Sequence, residues 1–165
     1  MKSKYLIPVI VLVTITLTSA QQNKTSVTKE ETQEWISEKI RQYSNGQTNR
    51  YGISFKDENM FIEQNTSIKL SQGTQELHGI KRVPIKSIES ISFSDNESVY
   101  FMTINMKDGA NVIMTEFDGL SPEYKAYTQI VLPKNIDNEG LKERLVKAFN
   151  HLVEIYTGKI KKEPF

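Results

Sequence analysis

The hydrophobic period of this chain changes twice, from about 3.6 residues to 2 and back to 3.6, and that alternation restricts the fold more than any other feature. In the first helical stretch Thr28 opens the run T-K-E-E. Its hydroxyl can accept from the Glu31 N–H while the Glu31 carboxylate reaches back to the Thr28 N–H. Trp35, Ile36, Ile40 and Tyr43 then share one side of an amphipathic helix, and Asn45-Gly46 can supply a left-handed stop. In the last stretch Asp137 or Asn138 is placed to cap a helix whose Leu141, Leu145, Phe149, Leu152 and Tyr156 recur every three or four residues, with Gly158 ending it.

Between these ends the period is 2. Tyr51, Ile53 and Phe55 alternate with polar or small residues, and pairing Phe55 with Met60 sets Ile53 opposite Ile62 on one face of a hairpin. Ile68 and Leu70 begin a third short strand, S-Q-G-T-Q-E breaks the pattern before Leu77, and Pro84 lacks the N–H that a central strand needs. The segment V-P-I-K-S-I-E-S-I-S-F reads as a turn leading into a strand. A further hairpin is predicted over Val99 to Glu116: Lys107-Asp108-Gly109 forms its loop with Gly109 at positive φ, and Met106, Ile104 and Met102 face Ala110, Val112 and Met114. Tyr127 to Leu132 is the last strand, closed by Pro133. The expected fold is α+β, with about seven short antiparallel strands in a bent sheet or small barrel and a helix at each end. Successive strands without intervening helices argue against a doubly wound parallel sheet.

This order resembles the pleckstrin-homology-like superfamily, in which a bent seven-stranded antiparallel barrel is closed by a C-terminal helix. The likeness covers Arg50 to Gly158 and rests on V-P-I-K-S-I-E-S-I-S-F, on S-V-Y-F-M-T-I-N-M-K-D-G-A-N-V-I-M-T and on the helix L-K-E-R-L-V-K-A-F-N-H-L-V-E-I-Y. It implies a domain that binds phosphoinositides, peptides or partner proteins. The loop K-D-E-N holds one Lys against two acids, which departs from the basic loop of phosphoinositide-binding members, and the N-terminal helix lies outside the simple pattern.

Ahead of the domain, Lys2 and Lys4 precede an uncharged run from Tyr5 to Leu17 and then Thr18-Ser19-Ala20, the order of a secretory signal peptide. The expected organisation is a signal peptide over 1–20 cleaved near Ala20, a flexible leader over 21–27, one pleckstrin-homology-like α+β domain over 28–158, and a flexible tail over 159–165. This places the mature protein in the periplasm or outside the cell, without stable membrane insertion. The chain has no cysteine, and a domain of this size can build a core without disulfides. Its 21 Lys and Arg against 20 Asp and Glu become 19 against 20 once Lys2 and Lys4 are removed, so no net charge draws it to nucleic acid.

Candidate chemistry is sparse. With His78 and His151 as the only histidines, a transition-metal site would need distant carboxylates, and no metal site or cofactor is expected. Motifs for a nucleophile elbow, a zinc protease, a P-loop or a dinucleotide fold are absent from the sequence, and no catalytic residue is assigned. Of the aromatic residues, Phe61, Tyr100 and Phe101 form the candidate interaction surface, because a strand cannot turn both Tyr100 and Phe101 inward. The reading is a non-catalytic protein- or peptide-interaction module of the bacterial envelope or extracellular space. One alternative is a small apolar-ligand carrier with an aromatic-lined cavity, and another is a small hydrolase or inhibitor without a recognisable motif.

Overall fold

The computed structural model describes residues 27–44, 48–117 and 122–159, apart from the side chains of 115–117. The expected signal peptide, the leader apart from Val27, the Asn45-Gly46 stop and the tail beyond residue 159 lie outside the described residues. The fold is α+β, with helices near both ends of the chain: α1 (Lys29–Ser44) and α2 (Leu141–Thr157) flank eight antiparallel strands. These are β1 (Asn49–Lys56), β2 (Asn59–Leu70), β3 (Gly73–Pro84), β4 (Ile88–Asp95), β5 (Val99–Met106), β6 (Val112–Phe117), β7 (Glu123–Lys125) and β8 (Tyr127–Pro133). They form two sheets, β1-β2-β3-β6-β7 and β4-β5-β8, rather than one closed barrel.

Several local signals act as the sequence suggests. Thr28 N–H donates to Glu31 Oε2 at 2.7 Å and Glu31 N–H to Thr28 Oγ1 at 3.1 Å, the reciprocal cap of α1. Phe55 pairs with Met60 and Ile53 with Ile62, closed by a two-residue turn in which Asp57 and Glu58 take φ of 47° and 63°. Those angles match the primed turn whose twist suits a tight hairpin. Gly158 ends α2 at φ 68°, with Lys159 N–H returning to the Glu154 carbonyl.

Three expectations are corrected. Ile68 and Leu70 end the 12-residue strand β2 instead of starting a new one, and only Ser71-Gln72 separates β2 from β3. Strands β5 and β6 do not pair. Ile104 faces Ile91 and Thr128, while β6 lies between β3 and β7. Tyr100, Met102, Ile104 and Met106 are buried as the alternation required, but that inward face is kept equally well with β4 and β8 as the neighbours. Asp137 does not cap α2. The helix is entered through Gly140 at φ 57° from a 3-10 turn over Lys134–Glu139, and the Asp137 carboxylate instead accepts from Tyr100 OH at 2.6 Å and Lys142 Nζ at 2.8 Å.

Gly109 keeps the predicted conformation although its hairpin does not exist. At φ 77° it lets Ala110 N–H return to the Lys107 carbonyl as the chain leaves one sheet for the other. A Cβ there meets no atom within 4 Å, so Gly109→Ala carries backbone strain alone. The expected loss is about 1 kcal/mol in denaturant melts.

One contiguous hydrophobic cluster joins the sheets and helices: Ile36 and Ile40 of α1, Met60, Ile62 and Val83 of the larger sheet, Met102, Ile104, Ile130 and Leu132 of the smaller, and Leu145, Phe149 and Leu152 of α2. Helix α1 packs on β1, β8 and α2, and α2 on β4 and on the 3-10 turns over Ile85–Ser87 and Lys134–Glu139. No residue of either helix lines the corner between the larger sheet and the outer side of β8.

Candidate functional site

A cleft of about 290 Å3 opens at that corner. The larger sheet contributes Tyr51, Gln64, Lys81, Val112, Met114, Glu123 and Lys125. The smaller contributes Phe101 and the β8 stretch 127–129 with Val131.

Strand register explains how each polar group arrives. Lys81 faces Ile62 on one side and Met114 on the other, so it shares the inward face of the sheet, and the bulge between Ile80 and Lys81 adjusts its strand there. Its ammonium donates to Gln64 Oε1 at 2.9 Å. Gln64 is fixed in turn: its amide nitrogen donates to Asn49 Oδ1 and Thr66 Oγ1 at 3.3 and 3.1 Å, which leaves the oxygen for Lys81. No Asp or Glu lies within ion-pair distance of Lys81 among the described residues. Burial, with the Lys125 charge adding to it, pulls the Lys81 ammonium down to about 8. Lys125 has its own partner, Glu123, at 2.7 Å, which raises its pKa.

Tyr51 forms the inner wall. Its N–H donates to the buried Ser44 Oγ at 3.0 Å, tying β1 to the end of α1, and its phenol oxygen accepts from Val131 N–H at 3.2 Å. Burial raises the phenol pKa against the opposing pull of that N–H, so the group stays neutral. The Val131 bond also shows which way the edge of β8 points. Ala126 C=O accepts from Met106 N–H of β5, whereas Val131 N–H turns away from β5. Alternation along an antiparallel strand therefore turns the backbone groups of Tyr127 and Gln129 to the same outer side as Val131.

The three aromatic residues singled out in the sequence are not brought together. Tyr100 is buried, its hydroxyl on Asp137 and its ring capped by Lys134 and Lys142 at 4.0 and 4.1 Å, so it presents little free surface. Phe101 is turned to the opposite side and lines the cleft, as the argument from neighbouring strand positions required. Phe61 lies on the far face of the larger sheet, in a cross-strand row with Arg82, Ile113 and the exposed Tyr124.

Lys81 was missed by sequence reasoning, although a signal existed. It stands two residues from Val83, and period 2 puts both on the inward face. The histidines hold conventional contacts: His78 Nδ1 lies 2.9 Å from Asn65 Oδ1, and His151 Nε2 donates to the Val27 carbonyl at 3.1 Å. Among the described residues no three His, Asp or Glu side chains gather as a metal site. No described helix is long and apolar enough to cross a membrane. No known family matches the chain, nor does any curated protein or solved structure.

Proposed function

We propose that the chain is a non-catalytic interaction module of the bacterial envelope or extracellular space, and that it takes a peptide segment of a partner protein into the Lys81 cleft. The observation that carries this reading is the make-up of the cleft: aromatic surface from Phe101 and Tyr127 stands beside the outward backbone edge of β8 and the polar ends of Gln64 and Lys81. A peptide offers main-chain groups to the edge and side chains to the walls, and uses both. An apolar cargo would press hydrocarbon against an ammonium that has no counter-ion, which costs desolvation energy and returns nothing. The same contrast disfavours the carrier alternative. The pleckstrin-homology-like resemblance read from the sequence also implies peptide or protein ligands, although the strands here form two sheets and not that superfamily's closed barrel. The leader signals at Lys2, Lys4 and Thr18-Ser19-Ala20 support the location.

The test is amide NMR of the purified protein titrated with a library of acetylated, amidated hexapeptides and, separately, with 1-dodecanol. Peptide-induced shifts are expected to cluster at Gln64, Lys81 and 127–131. Shifts produced by the alcohol alone would establish the carrier in its place. Peptide shifts confined to the groove between α1 and α2, around Trp35, Arg144 and His151, would move the site away from the cleft.

A further inference from the structure

We propose that the cleft recognises a carboxylate, carried by an acidic side chain or the C-terminus of the bound segment, with Lys81 Nζ as its counter-ion. This rests on the peptide reading above and adds the chemical class of the ligand. An ammonium carries three donors, and here one is engaged, by Gln64 at 2.9 Å. The Gln64 oxygen is a neutral acceptor, so among the described side chains the positive charge at the floor of the cleft has no anionic partner. Such a cation is stabilised by an anion that enters from the open side.

Charge counting favours a carboxylate over a phosphate. Two cations line the cleft, but Lys125 is already neutralised by Glu123 at 2.7 Å, leaving one net positive charge to match a monoanion. A dianion would face the Glu123 carboxylate without a second free cation. Apart from Lys81, Lys125 and Glu123, the lining holds no Asp, Glu, Lys, Arg or His: the Tyr51 phenol is held by Val131 N–H, and Val112 and Met114 of β6 are apolar. The pKa of about 8 agrees with this geometry, because it reflects burial first and the nearby Lys125 charge second. Binding a carboxylate raises that pKa. By linkage, affinity is full while Lys81 is protonated in the free protein and falls as pH rises past about 8. An ordinary exposed lysine would hold its affinity to about pH 10.

The experiment compares the blocked pentapeptide TVEVT, its blocked glutamine analogue TVQVT, TVQVT with a free C-terminus, 3-phenylpropionate, 3-phenylpropionamide and inorganic phosphate. Affinities are read at pH 6.5 and 9.5 on the purified protein and on Lys81→Met, Lys81→Arg and Lys125→Met, with the Lys81 13Cε signal followed as a second readout. At pH 6.5 at least one acid-bearing peptide is expected to bind about tenfold more tightly than blocked TVQVT, with a preference that Lys81→Met abolishes, Lys81→Arg keeps and pH 9.5 weakens. The acid-bearing arm that wins identifies side chain or terminus as the source. Equal binding of acid and amide peptides at the cleft would overturn the carboxylate inference while leaving the peptide module standing. Binding of 3-phenylpropionate at Lys81 without binding of any peptide would do the reverse. An acid preference that survives Lys81→Met and is lost in Lys125→Met, or phosphate outcompeting every carboxylate, would overturn the assignment, and no shift at Lys81 with any probe would overturn both readings.

Discussion

Phe149→Ala is expected to cost about 3–5 kcal/mol of folding stability, because a fully buried ring loses both its transfer free energy and its packing partners. Phe149 stands with Leu141, Leu145 and Leu152 on the face of α2 that closes the core, and all four are completely buried. A helix of this length is marginal alone in water, so the apolar face is what holds it in place. A loss of that size is a large part of the stability of an ordinary domain, roughly 5–15 kcal/mol. His151, two residues on, lies at the rim of the helix and makes one bond, to the Val27 carbonyl, so His151→Ala is expected to cost under about 1 kcal/mol. Parallel urea melts of the two variants test the contrast. Similar midpoints for both would show that α2 is not anchored by this face.

The contrast between α2 and the strands explains how much of the fold was legible. Phe149 was readable because a helical stripe is a local pattern: any partner surface must meet the same face. The β1–β2 hairpin was readable for a similar reason, since the turn at Asp57-Glu58 fixes register within ten residues. The β5–β6 pairing failed because period 2 says which side chains point inward and nothing about which strand lies alongside. Ile104 matches Val112 in pattern as well as it matches its observed partner Ile91. The strand β7, with Glu123, Tyr124 and Lys125 all exposed, has no apolar alternation to announce it. Asp137 looked like a cap because Asp favours helix starts, yet its carboxylate is taken by Tyr100 and Lys142, partners that only the tertiary structure supplies.

The site was harder to read than the fold for a physical reason. Of the cleft residues, the candidate surface included Phe101 alone, and the chemistry lies in Lys81, a residue type whose position in a strand ordinarily marks the solvent face. Its inward position shows only when Lys81 is counted with Val83, and its lack of an acid partner shows only when the strands that surround it are assembled.

That inward charge has a measurable cost. A shift from the usual value of 10.5 to about 8 corresponds, at about 1.4 kcal/mol per unit, to roughly 3 kcal/mol of destabilisation while Lys81 is protonated in both states. Between pH 8 and about 10.4 the unfolded chain holds this proton and the folded one does not, so the Lys81 contribution makes folding more favourable as pH rises through that window. Lys81→Met removes the charge and places an apolar chain of similar length between Ile62 and Met114, but it strips Gln64 Oε1 of its donor, a loss of about 1–2 kcal/mol. The variant is therefore expected to be more stable than the native chain by about 1–2 kcal/mol at pH 7, to lose that advantage as pH climbs past 8, and to be the less stable of the two near pH 10.5, where the neutral native amine still bonds Gln64. Urea melts of both proteins at pH 7, 8, 9 and 10.5 read the crossover directly. A Lys81→Met variant destabilised at pH 7, or a difference that does not change with pH, would mean that the ammonium is well solvated where it stands. A half-buried charge retained at a stability cost is what a binding site shows when its ligand supplies the missing partner, and adding the acid-bearing pentapeptide at pH 7 should narrow or reverse the gap between the two proteins.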